Sequence, residues 1–334
     1  MAKCGFQGSS TVNINIDPAN AHYKCGHLAM TYTGLCILLI LGDDLSRVNR
    51  KALIEGVKAL QTPEGNFSAT LSGCESDMRF VYCAACISYI LNDWSGFNVN
   101  KATDYILKSI SYDNGIAQCP ELESHGGTTF CALATLSLTG QLDKLSKDQR
   151  EGLKRWLVFR QIDGFQGRPN KPVDTCYSFW VGASLKMLDT LQLSNYVQNR
   201  QYVFETQDSV VGGFSKWPDT CTDPMHTYLG LAGLSLIGKQ MVVYQSPFTV
   251  RSTKFFKAKV AMCPLLLKER SNHQHRDILF THLLYGYGTV AVRMRYGYGM
   301  FAYSTVAVRH GYSTDTVRVR YRLRTIRYNF GTVR

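Results

Sequence analysis

An aromatic residue returns along this chain at nearly fixed intervals. Tyr32, Tyr82, Phe130, Phe179 and Tyr228 follow one another at steps of 50, 48, 49 and 49 residues. Each lies in a segment of the same apolar character: GHLAMTYTGLCILLIL, SDMRFVYCAACISYIL, SHGGTTFCALATLSLT, VDTCYSFWVGASLKML and TDPMHTYLGLAGLSLI. A second register falls between these segments. Gly65, Gly115, Gly164 and Gly213 recur at steps of 50, 49 and 49, each preceded by an amphipathic run such as RKALIEGVKALQ or QREGLKRWLVFRQ. A fixed period of this size implies an array of supersecondary units, each too small to bury its apolar face alone.

Each unit reads as an outer amphipathic helix, a glycine-containing loop and an inner apolar helix. The outer runs place apolar residues three and four apart with charges between them. The inner runs are apolar nearly all round and should be buried. The fold class is therefore all-α, built from helix pairs of about 49 residues. The period alone permits an open solenoid or a closed toroid. The small residues of the inner helices favour closure, because they let helices pack tightly around a central cavity.

The repeat also gives geometry to the polar residues. Asp77, Asp174 and Asp223 share a column at the start of an inner helix, with His125 and Gly126 at about that column in the intervening repeat. Taken singly, an Asp before a helix is an ordinary N-cap and a Cys is often a small core residue. Taken together, Asp174 and Cys176 would face His226 in the first turn of the next inner helix. One carboxylate, one thiolate and one imidazole make a three-ligand zinc site whose fourth position stays open for chemistry. Arg168 and Lys171 stand just upstream, where an anion could be held, and helix N-termini favour anions.

Composition bounds the rest. A chain of 334 residues that is 45% hydrophobic can bury a sizeable core. Its eleven cysteines have no framework spacing and no signal peptide opens the chain, which points to reduced thiols in the cytoplasm. The longest apolar run, near residues 35–41, is too short to span a membrane. The net charge of +12 is not spread evenly: 17 of the 37 basic and 3 of the 25 acidic residues lie from Gly238 onward. That leaves 20 basic against 22 acidic groups before it, so no nucleic-acid role is expected of the repeat domain.

Five stretches carry a family resemblance: residues 26–35 (GHLAMTYTGL), 77–83 (DMRFVYC), 123–131 (ESHGGTTFC), 167–180 (GRPNKPVDTCYSFW) and 212–219 (GGFSKWPD). They resemble the β subunit of protein prenyltransferases, and within it the type I geranylgeranyl enzymes, over about residues 4–237. The resemblance implies an α–α toroid around an apolar funnel. It implies transfer of a geranylgeranyl group from geranylgeranyl diphosphate to the cysteine of proteins ending in a Cys-a-a-X box, X often Leu, and heterodimerisation with an α subunit, without which the chain should be inactive. By position, the family's zinc ligands fall on Asp174, Cys176 and His226, and its diphosphate-binding residues on His125, Arg168, Lys171 and Tyr177. Lys216 matches a lysine that replaces a magnesium-binding aspartate of farnesyl enzymes, so zinc but not magnesium should be required. The isoprenoid funnel falls on Tyr32, Arg79, Tyr82 and Trp180, with Arg79 expected as a buried charge that needs a partner. The peptide end falls on His27, Ala29 and Phe80.

The ends depart from the family. Relatives carry further helix pairs ahead of the residues matching 4–10, so the toroid is expected to be incomplete at the N-terminus, and the part that gauges isoprenoid length falls there. Two domains follow, residues 1–237 as toroid and 238–334 as a basic, low-complexity, strand-prone tail in which TVAVR and YGYG each occur twice. The tail reads as a translated intron or a wrong exon join; transcript sequencing across the codons for residues 236–240 should then show no uniform in-frame junction. If the tail is genuine, its Arg and Tyr residues suit RNA. The competing readings are a farnesyltransferase β subunit, a non-catalytic helical-repeat scaffold and a basic RNA-associated protein.

Overall fold

The structure, a computed structural model, describes residues 5–8, 25–73 and 75–237 together with two short strands in the C-terminal region. Nine α-helices occur among the described residues, alternating between the two expected types. The inner helices are α1 (Leu28–Ile40), α3 (Met78–Leu91), α5 (Gly126–Thr139), α7 (Tyr177–Met187) and α9 (Pro224–Ile237). The outer helices are α2 (Arg50–Leu60), α4 (Val99–Lys108), α6 (Lys147–Val158) and α8 (Tyr196–Glu205). Each inner helix packs against the next, and each outer helix packs against the inner helix that follows it.

Local chemistry starts each element. Asn49, Asn98, Ser146 and Asn195 cap the outer helices, each accepting a backbone N–H from three residues ahead. They recur at steps of 49, 48 and 49 residues, a register the apolar pattern did not reveal. A side-chain oxygen there satisfies one of the donors every helix start leaves open. Between outer and inner helix each repeat folds into a loop clasped by two isolated antiparallel bridges, such as Ile110↔Ile116 and Ala117↔Ser124. Gly65 takes φ +104° in the first loop, and a Cβ there would lie 2.1 Å from the carbonyl oxygen of Lys101. A side chain at residue 65 would therefore be opposed both by that backbone angle and by the neighbouring helix α4.

The aromatic column becomes a physical row. Tyr32 and Tyr82 lie 5.7 Å apart between ring centroids, Tyr82 and Phe130 5.4 Å, and Phe130 and Phe179 5.3 Å. One period per helix pair brings one ring per inner helix to the same height, so the row crosses α1, α3, α5 and α7. Trp180 joins it, 5.0 Å from Phe130. The middle inner helices are buried as expected, but the outermost ones are not apolar-covered throughout: Met30, Ile37 and Ile40 on α1 and Met225 and Tyr228 on α9 are exposed.

The two strands, Arg293–Arg295 and Phe301–Tyr303, pair antiparallel within the strand-prone region. The remainder of residues 238–334 lies outside the described residues, as do the tail's RNA-binding readings. Phe130 is fully buried at the centre of the aromatic row. Phe130→Ala is expected to cost about 3–5 kcal/mol of stability, read as a lowered urea midpoint with unchanged slope.

Candidate functional site

The inner helices start at one end of the stack, and four of the five starts, those of α3, α5, α7 and α9, are built alike. Asp77, His125, Asp174 and Asp223 each accept the backbone N–H two residues ahead. The capping reading and the functional reading therefore describe the same side chains. For Asp174 the cap orients the carboxylate: Oδ1 takes the Cys176 N–H at 2.9 Å and lies 3.3 Å from His226 Nε2.

Asp174, Cys176 and His226 converge from α7 and α9. One ligand atom from each lies within 4.8 Å of the others, and all three residues are buried. His226 Nδ1 meets Asp223 Oδ2 at 2.5 Å. With that proton on Nδ1, Nε2 presents a lone pair toward the Asp174 oxygen. Nε2 is buried and has no hydrogen-bond partner among the described residues. Two facing lone pairs in a buried site call for a positive charge between them. Burial, and then the Asp174 carboxylate, push the Cys176 thiol well up, so a nearby cation is needed before it ionises. One S, one N and one O donor suit a tetrahedral divalent ion, and the donor set present fits such an ion. Asp223 was visible in the sequence only as a member of the capping column. Its role follows from its place three residues before His226, which puts it on the same helix face; His226 in turn holds the Asp223 carboxyl low through backbone and side-chain hydrogen bonds.

The basic residues divide. Lys216 Nζ lies 3.8 Å from Asp174 Oδ2 and 4.3 Å from the centre of the Trp217 ring, and its side chain is 45% exposed. Arg168 is not free beside the metal residues: its guanidinium is bonded to Glu123, which the sequence reading did not single out. Lys171 is exposed. His125 commits both nitrogens within the protein. Nδ1 accepts from the Gly127 N–H at 3.0 Å, and Nε2 meets Tyr177 Oη at 2.9 Å. Burial, then the Arg168 charge, lower the imidazole's pKa and favour this neutral form. Nε2–H then donates to Tyr177 Oη, and the phenol proton is left to donate elsewhere. Burial pushes the Tyr177 hydroxyl up, so it keeps that proton.

The remaining candidates lie along α1, α3 and α7. Tyr32, Tyr82 and Trp180 belong to the aromatic row. Arg79 is not the buried charge expected. Its side chain is 50% exposed, because it sits in the first turn of α3 and turns back to the helix start, where it grips Asp77 at 2.7 Å and Glu75 at 2.6 Å. His27 and Phe80 meet edge to face at 5.9 Å, with Ala29 partly buried beside them.

Asp223→Asn removes the acceptor charge that fixes the His226 tautomer while keeping the helix cap. It should weaken metal affinity about tenfold or more, measured by chelator competition on the folded chain.

Comparison with known proteins agrees with the helix-pair architecture. The family model described as Prenyltransferase alpha-alpha toroid domain matches residues 1–277, a span that runs past the domain boundary read at residue 237. The geranylgeranyl transferase type-1 subunit beta of Arabidopsis thaliana is 42% identical over 247 residues, 71% of this chain and 66% of that protein. The subunit of the same description from Dictyostelium discoideum is 45% identical over 245 residues, 70% of this chain and 69% of that protein. This chain thus spans about two thirds of the length of these curated relatives. The solved structure of Candida albicans protein geranylgeranyltransferase-I complexed with GGPP superposes with a TM-score of 0.64 at 30% identity, covering 71% of this chain and 72% of that one. No helix among the described residues is long and apolar enough to cross a membrane. With its helix-pair repeat, its inner aromatic row and these relatives, the chain belongs to the prenyltransferase α–α toroid family.

Proposed function

We propose that this chain is the catalytic β subunit of a zinc-dependent protein geranylgeranyltransferase type I. It would transfer a geranylgeranyl group from geranylgeranyl diphosphate to the cysteine of Cys-a-a-X proteins, X often Leu. The observation that carries this reading is the convergence of Asp174, Cys176 and His226 within 4.8 Å at the end of the stack where Lys216 also stands. The type-1 β subunits among its relatives support the same choice.

Asp174, Cys176 and His226 would hold zinc, with Asp223 fixing His226. Zinc, when bound, lowers the pKa of a thiol that joins it, giving a thiolate at neutral pH. In the transfer the substrate thiolate forms a bond to C1 of the isoprenoid as the bond from C1 to the diphosphate oxygen breaks. Negative charge then grows on the departing diphosphate. Lys216 supplies a point charge beside Asp174, and Tyr177 supplies an oriented O–H polarised by the His125 N–H. Arg168, once released from Glu123, and exposed Lys171 add further positive charge. Lys216 would supply the positive charge that a magnesium ion supplies in farnesyl enzymes, which would make magnesium dispensable. The row of Tyr32, Tyr82 and Trp180 offers the isoprenoid an apolar wall, with Arg79 near its start, and His27, Ala29 and Phe80 would meet the end of the peptide. A prenyltransferase α subunit is the expected partner. The eight described cysteines form no disulfide with one another, in keeping with a reducing, cytoplasmic setting.

The test is co-expression of the full chain with a prenyltransferase α subunit, scoring zinc content and transfer of a 20-carbon against a 15-carbon isoprenoid to a Cys-a-a-Leu peptide. One zinc per chain and 20-carbon transfer are expected. Cys176→Ala should lose zinc and transfer together; a variant that still transfers would remove the catalytic assignment. Lys216→Asp should create magnesium dependence, and rates indifferent to magnesium would count against its diphosphate role.

A further inference from the structure

One position in each repeat lies directly over the start of the preceding inner helix. The backbone N–H groups of Leu28, Met78, Gly126 and Thr175 donate to the carbonyls of Ala69, Gln118, Gly167 and Lys216 at 2.9, 3.0, 2.7 and 3.2 Å. The four acceptors recur at steps of 49 residues. The side chain at this position therefore meets the residue that caps the helix below. Gln118 Nε2 donates to Asp77 at 2.7 Å, and Lys216 Nζ approaches Asp174 to 3.8 Å. Ala69 is too short to reach, and His27 Nδ1 has no hydrogen-bond partner among the described residues.

Gly167 breaks the series in another way. The space its side chain would fill is taken by the Tyr177 ring. A Cβ on Gly167 would lie 2.2 Å from Tyr177 Cζ and 2.3 Å from Oη, well inside any real contact. Nor can the backbone retreat freely, because its carbonyl holds the Gly126 N–H. The phenol does from below what Gln118 and Lys216 do from above: it reaches the capping residue, here His125 at 2.9 Å.

We propose that Gly167 is a positioning residue for the anion end of the site. Its missing side chain lets Tyr177 lie against His125, accept the Nε2 proton and present its own O–H outward. A hydroxyl that accepts one hydrogen bond donates a second more strongly. Any larger residue at 167 displaces the ring, breaks the bond to His125 and takes away one oriented donor. The inference rests on the reading of Tyr177 as a diphosphate residue.

The experiment uses the full chain, co-expressed with a prenyltransferase α subunit, and measures affinity for inorganic pyrophosphate alongside zinc content. Tyr177→Phe tests the underlying reading and Gly167→Ala tests the positioning. Both should weaken pyrophosphate binding about tenfold with zinc content unchanged. In a Tyr177→Ala background there is no ring to displace, so adding Gly167→Ala should fold and change affinity no further. Unchanged affinity in Tyr177→Phe would defeat the diphosphate reading and the inference with it. Weakened binding in Tyr177→Phe but full affinity in Gly167→Ala would overturn the positioning role alone. An equal loss from Gly167→Ala in the Tyr177→Ala background would show that it acts through the backbone, and would overturn it too.

Discussion

Four inner helices of this protein, α1, α3, α5 and α7, start underneath the loop of the next repeat, each joined to it by one backbone hydrogen bond. A helix start leaves backbone donors that must find partners when buried. Here the first donor goes to the neighbouring repeat and the second to the capping side chain, as in Met78 to Gln118 and Arg79 to Asp77. The joint that holds the repeats in register therefore also gathers polar side chains at one end of an otherwise apolar stack. The candidate site grows out of that joint. His125 and Asp174 are capping residues, while Arg79 and Cys176 lie two residues, and Phe80, Tyr177 and His226 three residues, beyond a cap.

The same joint is closed in one repeat and open in another. Around Asp77, both oxygens are engaged by the Arg79 side chain and Oδ2 also by Gln118, which raises the Arg79 pKa still further through that hydrogen bonding. The buried carboxylate is neutralised inside the protein and has little capacity left. Around Asp174, Cys176 replaces the arginine two positions on and Lys216 replaces the glutamine, approaching only to 3.8 Å. His226 contributes a lone pair instead of a hydrogen bond. A buried carboxylate with so little internal compensation is where an external cation gains most, so the proposed metal site falls at the start of α7 and not at the start of α3.

Much of this was legible from the chain alone because helix pairs of constant length convert sequence period into spatial alignment. The aromatic column became a row of touching rings, and the Asp and His column became a line of caps. What escaped reading were contacts decided by side-chain direction. Arg79 looked buried within an apolar run, yet it turns back to the helix start and is half exposed. Arg168 looked like a free anion holder, yet Glu123 claims it from the loop before α5. Asp223 showed no role until its carboxylate met His226, and His125 showed nothing of how both its nitrogens are spent.

The sequence by itself determined the helical-repeat fold, the end of the stack at which polar groups collect, and the residues able to bind a metal, because periodicity and residue chemistry are local properties. The tertiary structure alone decided which of those groups remain available. Availability depends on distances across repeats: 3.8 Å from Lys216 to Asp174, 3.3 Å from His226 to Asp174, and 2.9 Å from Tyr177 to His125. Those distances arise only when helices about 49 residues apart are packed side by side, and nothing within a single repeat encodes them.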